Sequence, residues 1–286
     1  MAGRLFVLFQ FLLPRYAMTR LVHRIARLRR RPFKDALIRA FARLYSVDLD
    51  EAAGRTPLDY PSLNAFFTRE LAAGMRPVDT EPDAIVSPVD GYVSAAGPIE
   101  QNTLFQAKGL TYTLEDLLAV DLDEARAYRN GHFATLYLAP HNYHRVHMPL
   151  DGELIAAHYV PGDLFSVNSA TVYRLRGLFH RNERLNLHFR TAFGPMAVLL
   201  VGALNVGSIT TPWTGEIRPT RRGVVEALEP GDAARRLDKG DLLGWFNMGS
   251  TVLVLLPTRS VAWDAGLAPD TPVRMGTRIG RVLPRQ

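Results

Sequence analysis

The spacing of apolar positions changes character near residue 84. Upstream they recur at helical intervals, and downstream they alternate in short runs broken by Gly, Pro and Asp-Gly pairs. The first apolar run, LFVLFQFLLP from Leu5 to Pro14, is interrupted by Gln10 and ended by Pro14. It falls well short of the roughly 20 apolar residues that a spanning helix takes. Only Arg4 precedes it and no clear small-x-small cleavage site follows, which gives a signal peptide little support. Leu21, Ile25 and Leu28 then recur among six arginines, and Pro32 opens a further helix with Phe33, Leu37, Phe41 and Leu44 on one face. SLNAFFTREL, Ser62 to Leu71, reads as a short capped helix.

Beyond residue 84 the pattern predicts strands, and two segments repeat weakly. PVDGYVSAA from Pro88 is echoed by PLDGELIAA from Pro149, and KGDLLGWF from Lys239 by MGTRIGRV from Met275. Paired hairpins of this kind predict a mainly β chain with N-terminal helices (α+β), built as a duplicated β-sandwich or barrel-sandwich hybrid. The glycine–aliphatic–glycine step resembles biotinyl and lipoyl carrier domains, in fold only. The expected division is a helical cap over residues 1–83 and one β-rich body over 84–286. Within that body, GWFNMGSTVLVLLP (Gly244 to Pro257) joins a polar step to a buried strand, so Ser250 sits where a loop enters the core. Gly249 before it permits backbone geometries closed to other residues.

Composition adds three constraints. The chain of 286 residues is long enough for a sizeable core. With no cysteine there is no disulfide framework, thiolate metal site or cysteine nucleophile. The total charge is +6, but residues 1–50 alone carry ten Arg and one Lys against three Asp, a net +8 that leaves the rest slightly acidic at −2. A basic end on a nearly neutral body suits an anionic surface, nucleic acid or lipid headgroups. Apolar and arginine faces on the same helices favour a membrane interface, so no nucleic-acid partner is expected.

The chemistry-bearing residues stand at predicted strand edges: Asp90 in SPVDG, His141, His144 and His147 in PHNYHRVHMP, and Ser250 after Gly249. Ser, His and Asp are the parts that activate a hydroxyl, the imidazole taking the proton and the carboxylate orienting the imidazole. Taken singly, an Asp before Gly is an ordinary turn residue, and Gly-Ser before a strand an ordinary turn. No acidic residue lies among the three histidines, so a metal site would need a distant ligand and none is expected.

The ordered set SPVDG, QAKG (Gln106 to Gly109), YHRVHMP (Tyr143 to Pro149), GDLFSVN (Gly162 to Asn168) and GST (Gly249 to Thr251), with SLNAFFTREL upstream, resembles the phosphatidylserine decarboxylase proenzymes of the bacterial membrane-bound type. The resemblance runs from about Ser62 to the C-terminus; its visible departure is Met248, where the family usually has Leu. It implies that the chain cuts itself between Gly249 and Ser250. Ser250 Oγ would attack the Gly249 carbonyl, elimination would release the upstream chain, and hydrolysis would leave a pyruvoyl group at position 250 as a covalent cofactor. That group would form a Schiff base with phosphatidylserine and act as an electron sink while carbon dioxide leaves, giving phosphatidylethanolamine. The resemblance also implies His147 as base and Asp90 as its orienter in the cut, and His144 as an aid to decarboxylation. The two pieces, 1–249 (beta) and 250–286 (alpha), would stay associated, because a 37-residue fragment is too short to keep a core alone. Phosphatidylserine in an anionic membrane is the implied partner, at the cytoplasmic side of the cell membrane and peripheral to it; a homodimer is left open.

Two other classes remain at this stage. A serine hydrolase could use Asp90, His147 and Ser250 on an outside ester, although no G-x-S-x-G elbow is present. A non-enzymatic lipid-binding module would explain the basic end but not the histidines.

Overall fold

The computed structural model describes residues 2–54, 56–107, 109–119, 125–205, 208–220, 223–229, 236–257 and 261–283. Four α-helices precede the first strand: α1 (Ala2–Leu12), α2 (Arg15–Ala26), α3 (Phe33–Tyr45) and α4 (Leu63–Phe67). Pro14 has no N–H to continue α1, and α1 and α2 meet there at 89°. Among the described residues no single helix is long and apolar enough to cross a membrane. Ser62 caps α4, its hydroxyl accepting the Ala65 N–H at 3.2 Å.

The strands, in chain order, begin with β1 (Ala84–Val86), β2 (Gly91–Pro98), β3 (Thr103–Ala107), β4 (Leu110–Thr113), β5 (His132–Leu138) and β6 (Arg145–His147). Next come β7 (Gly152–Val160), β8 (Arg184–Thr191), β9 (Gly194–Val201), β10 (Ile209–Thr211), β11 (Gly215–Ile217) and β12 (Glu226–Leu228). The last are β13 (Arg236–Leu237), β14 (Leu242–Phe246), β15 (Ser250–Leu256), β16 (Val261–Trp263), β17 (Pro272–Val273) and β18 (Arg278–Val282).

The main sheet is antiparallel and runs β12-β7-β8-β9-β15-β5-β2-β17, with β13 also on β7. A second sheet runs β11-β10-β14-β6, a third β1-β18-β16, and β3 pairs with β4. All are open, so the chain is mainly β with N-terminal helices. The core lies in the middle of the main sheet. Met196–Val201 of β9 and Val252–Leu256 of β15 are buried without alternation, because both faces of the sheet are covered there.

The repeated segments occupy matching places. Each Pro-x-Asp-Gly step opens a long strand of the main sheet, β2 second from one edge and β7 second from the other. The second pair of echoes forms β14 and β18. β14 pairs with β6, the strand before β7, and β18 pairs with β1, the strand before β2.

Candidate active site

The strand register brings the separate motifs to one end of the main sheet. Ser250 opens β15 opposite Leu138, the last residue of β5. The PHNYHRVH segment therefore begins two residues beyond the register partner of Ser250. On the far side of β5, Tyr92 of β2 pairs with Tyr137. That places Asp90, just ahead of β2, about two strand spacings, or roughly 10 Å, from the start of β15. The end of β9 and the loop after it flank the other side, Val201 pairing with Thr251.

The chain reaches Ser250 from the second sheet. β14 ends at Phe246, whose N–H donates to His144 O at 3.2 Å, and three residues cross to β15. Met248 has φ 116° and Gly249 φ 39°. A Cβ on Gly249 would meet nothing within 4 Å, so conformation rather than crowding is what calls for glycine here.

His144 is wholly buried and lies against the Phe67 ring at 3.9 Å between centroids. Its Nδ1 is 2.8 Å from the Asn142 carbonyl. A carbonyl only accepts, so Nδ1 carries the proton and the neutral ring keeps its lone pair on Nε2. That Nε2 has no hydrogen-bond partner. Burial pushes the His144 pKa down to about 3, so the ring is neutral at physiological pH.

His147 is fixed in the same sense. Nδ1 donates to Gly240 O at 2.7 Å, and Nε2 accepts from the Tyr143 hydroxyl at 2.9 Å. Burial holds its pKa below the usual histidine value, against smaller opposing effects of the Gly240 bond and nearby carboxylates. Burial also raises the Tyr143 phenol to about 12, so it stays a donor. Asp90 is not hydrogen-bonded to His147. Its carboxylate is held by Arg76, at 2.9 and 3.1 Å from Nε and 2.5 Å from Nη2, and by the Met275 N–H at 2.9 Å. Arg76 also pairs with Glu51. Asp90 thus acts on His147 through space, favouring its protonated form, while the Gly240 carbonyl fixes the ring. His141 lies nearby with its carbonyl accepting from Arg69 at 2.9 Å. Among the described residues no group of three or more His, Asp or Glu could hold a metal.

Beside Gly249 opens a cleft of about 320 Å³, walled by Phe41, Tyr45, Phe67, Tyr137 and Met248, with polar groups from Ser166, Asn168 and Asn205. Helices α1 and α2 fasten its rim. Gln10 is wholly buried, its amide donating to Thr171 Oγ1 at 3.0 Å and accepting the Ser166 N–H at 2.8 Å. Thr19 Oγ1 accepts the Asn205 N–H at 3.3 Å. Of the other motifs, QAKG is a brace: Gln106 donates to the Val172 and Leu175 carbonyls and accepts from Leu178 N–H. In GDLFSVN, Asp163 pairs with Arg15 at 2.9 Å.

Sequence reasoning missed the Tyr143 hydroxyl, Arg76 and Gln10. For Gln10 there was a signal, one amide inside an apolar run. For Arg76 there was none, since its partners lie 14 and 25 positions away.

Gly249 opens on the apolar cleft, while Asp90, His141 and Tyr143 line a separate polar pocket and His147 pairs with Leu242 at the far end of β14. Comparison with known proteins names the family. Residues 63–281 match the family model described as phosphatidylserine decarboxylase, and residues 5–46 match a model described as PSD. The chain belongs to the phosphatidylserine decarboxylase family. It is 48% identical over 277 residues to the phosphatidylserine decarboxylase proenzyme of Methylococcus capsulatus, covering 97% of this chain and 96% of the relative. The proenzyme of that name from Azotobacter vinelandii is 48% identical over 286 residues, covering 98% and 99% of the two chains. The one from Pseudomonas fluorescens is 46% identical over 288 residues, covering all of both.

Proposed function

We propose that this chain is a phosphatidylserine decarboxylase, made as a proenzyme that cuts its own backbone between Gly249 and Ser250. The observation that carries this reading is the crossing itself. Ser250 begins a central, rigid strand, while Met248 and Gly249 before it are held at positive φ. The hydroxyl of Ser250 attacks the Gly249 carbonyl, exchanging an amide for an ester and freeing the nitrogen of residue 250. β-Elimination then leaves Gly249 with the carboxylate and residue 250 as dehydroalanine, which water converts to a pyruvoyl group with loss of ammonia. His147, neutral and with its lone pair on Nε2, is the base for the hydroxyl once the Tyr143 bond is exchanged. Asp90 stabilises the imidazolium that results.

A pyruvoyl group fits this place. It would be anchored at a strand end hydrogen-bonded on both sides, next to the cleft and near the unpartnered Nε2 of His144. When present it supplies a carbonyl that takes up the electrons left by departing carbon dioxide. His144, buried and neutral, fits the part of receiving or returning a proton at Nε2, and the apolar walls of the cleft exclude water around a departing carboxylate. The pieces 1–249 and 250–286 would remain together, since β15 lies between β5 and β9 and β18 between β1 and β16.

The substrate class also accounts for α1. Leu8 is 62% and Leu12 82% exposed, and Leu5, Phe6, Phe9 and Phe11 are exposed with them. A patch of this kind, next to arginines of α2, suits peripheral contact with an anionic bilayer at the cytoplasmic face. The paired Pro-x-Asp-Gly strands fit a duplicated, carrier-like hairpin unit. Replacing Ser250 with Ala tests the reading: one uncut, inactive chain is expected, and a cut or active variant would refute it.

A further inference from the structure

We propose that Asn247, locked to Asn64, Ser208 and Thr210, is the positioning residue that readies the chain for cleavage; this rests on the cut at Gly249–Ser250 proposed above. Asn247 is 3% exposed and immediately precedes the two residues with positive φ. Its backbone N–H donates to Ser208 O at 2.9 Å. Its side-chain amide donates to Ser208 Oγ at 2.8 Å and Thr210 Oγ1 at 2.7 Å, and its oxygen accepts from Asn64 Nδ2 at 3.1 Å. Those partners belong to α4, to β10 and to the residue just before β10. The bond to Asn247 is the side-chain hydrogen bond Asn64 makes among the described residues, its own Oδ1 being buried without a partner.

On the downstream side the chain is equally fixed. Thr251 is paired with Tyr137 of β5 and Val201 of β9. Three residues, Met248 to Ser250, therefore span two bonded points, and they do so with φ 116° at Met248 and 39° at Gly249. A methionine in that region is strained, because its Cβ crowds the backbone. Held at both ends, the segment cannot relax into an extended path. The upstream side of the scissile amide is thus kept in a geometry that the uncut chain cannot leave and that the cut releases. After the cut, Met248 and Gly249 become a chain end, held at Asn247 and by the packing of Met248 against the cluster of Ile38, Leu63 and Phe66. Both line the cleft. The lock sets the geometry of the uncut segment, whereas in the cut chain Met248 keeps its own packing beside the cleft.

A plain polar knot between helix and sheet would behave differently. Its loss would lower stability, cleavage and turnover together, whereas loss of a positioning residue slows cleavage selectively. The test is to make Asn247→Ala and Asn64→Ala in the full chain beside wild type, and to follow conversion to 1–249 and 250–286 with time on denaturing gels. The kcat and KM of each fully cut fraction are then measured. Cleavage is expected to slow by about tenfold or more, corresponding to about 1.4 kcal/mol of barrier. Turnover per cut chain should stay within about twofold of wild type. Asn64→Ala keeps the Ser208 and Thr210 bonds, so it decides the matter if Asn247→Ala fails to fold. Cleavage at the wild-type rate in both variants, or an equal fall in cleavage and turnover, would overturn the proposal. A wild-type chain that never cuts would instead refute the reading on which it rests.

Discussion

Helix α1 and strand β15 are both written in apolar residues, AGRLFVLFQFL against STVLVLL, and they end in opposite surroundings. Val252, Leu253, Val254 and Leu255 are wholly buried, and both edges of their strand are hydrogen-bonded. In α1 the wholly buried residue is Gln10, while six large apolar side chains face outward. A helix satisfies its own backbone polar groups, so it can turn an apolar face to a medium without water. A strand cannot do so alone, and its apolar run has to lie inside a sheet. The same composition therefore marks a core in one place and an exposed apolar face in the other.

The comparison breaks most visibly if the two runs respond alike to charge. Val254→Asp puts a carboxylate among wholly buried neighbours, and that cost, several kcal/mol or more, is comparable with the whole stability of a domain. Soluble folded protein should be lost. Leu8→Asp with Leu12→Asp should leave thermal unfolding almost unmoved, yet reduce sedimentation with anionic vesicles by about tenfold or more, since each buried leucine is worth about 1.5–3 kcal/mol. Equal loss of fold in both variants would erase the distinction.

Function should divide along the same line. His147→Ala is expected to slow self-cleavage by about 100-fold or more, the scale of a lost general base, while vesicle binding stays intact. Asp90→Asn should slow it less, because Asp90 is bonded to Arg76 and Met275 rather than to His147. His144→Ala should cut at the normal rate and decarboxylate poorly. Gel time courses and carbon dioxide release measure the two steps separately.

Deleting residues 1–31 should abolish vesicle binding, but it should also impair turnover of short-chain, soluble phosphatidylserine. Gln10 and Thr19 hold the rim of the cleft, so the two regions are not independent there. Gln10→Leu sharpens the point, for it leaves the exposed face untouched and strands the half-buried Ser166 N–H, at about 1–3 kcal/mol, while the Thr171 hydroxyl keeps its bond to Asn168. Raised KM with unchanged vesicle binding is expected. Full soluble activity in both variants would show the rim holds without α1.

The two histidines also make cleavage and stability respond to pH. Burial lowers the His147 pKa, so the neutral base persists through neutral pH and is lost only as pH falls through that lowered value. The cleavage rate should be flat near pH 7 and drop in acid. His144 gives a matching stability effect: unfolded it binds a proton near pH 6.5, folded only near about 3. Its neutral burial is therefore least costly above about pH 6.5, and stability falls as pH drops from there toward 3. Thermal unfolding of wild type against His144→Ala across that window measures it.

Much of this was legible in the chain. The change of period near residue 84 marks where strands begin, and the glycine before Ser250 marks an unusual backbone. The convergence of SPVDG, PHNYHRVH and GST was legible only through resemblance, since register between distant strands is not written in local spacing. The bonding of Asp90 was not legible at all. Arg76 and the Met275 N–H reach it by tertiary packing, which no local spacing records. Gln10 was legible as an oddity but read as an interruption, because an amide in an apolar run gives no hint of which side is the protein.

The measurement that tests the account most directly is the intact mass and denaturing gel of the purified full-length chain. Two pieces are predicted, 1–249 and 250–286, the smaller blocked to amino-terminal sequencing and carrying a pyruvoyl group in place of Ser250. A single uncut chain with full decarboxylase activity would contradict it.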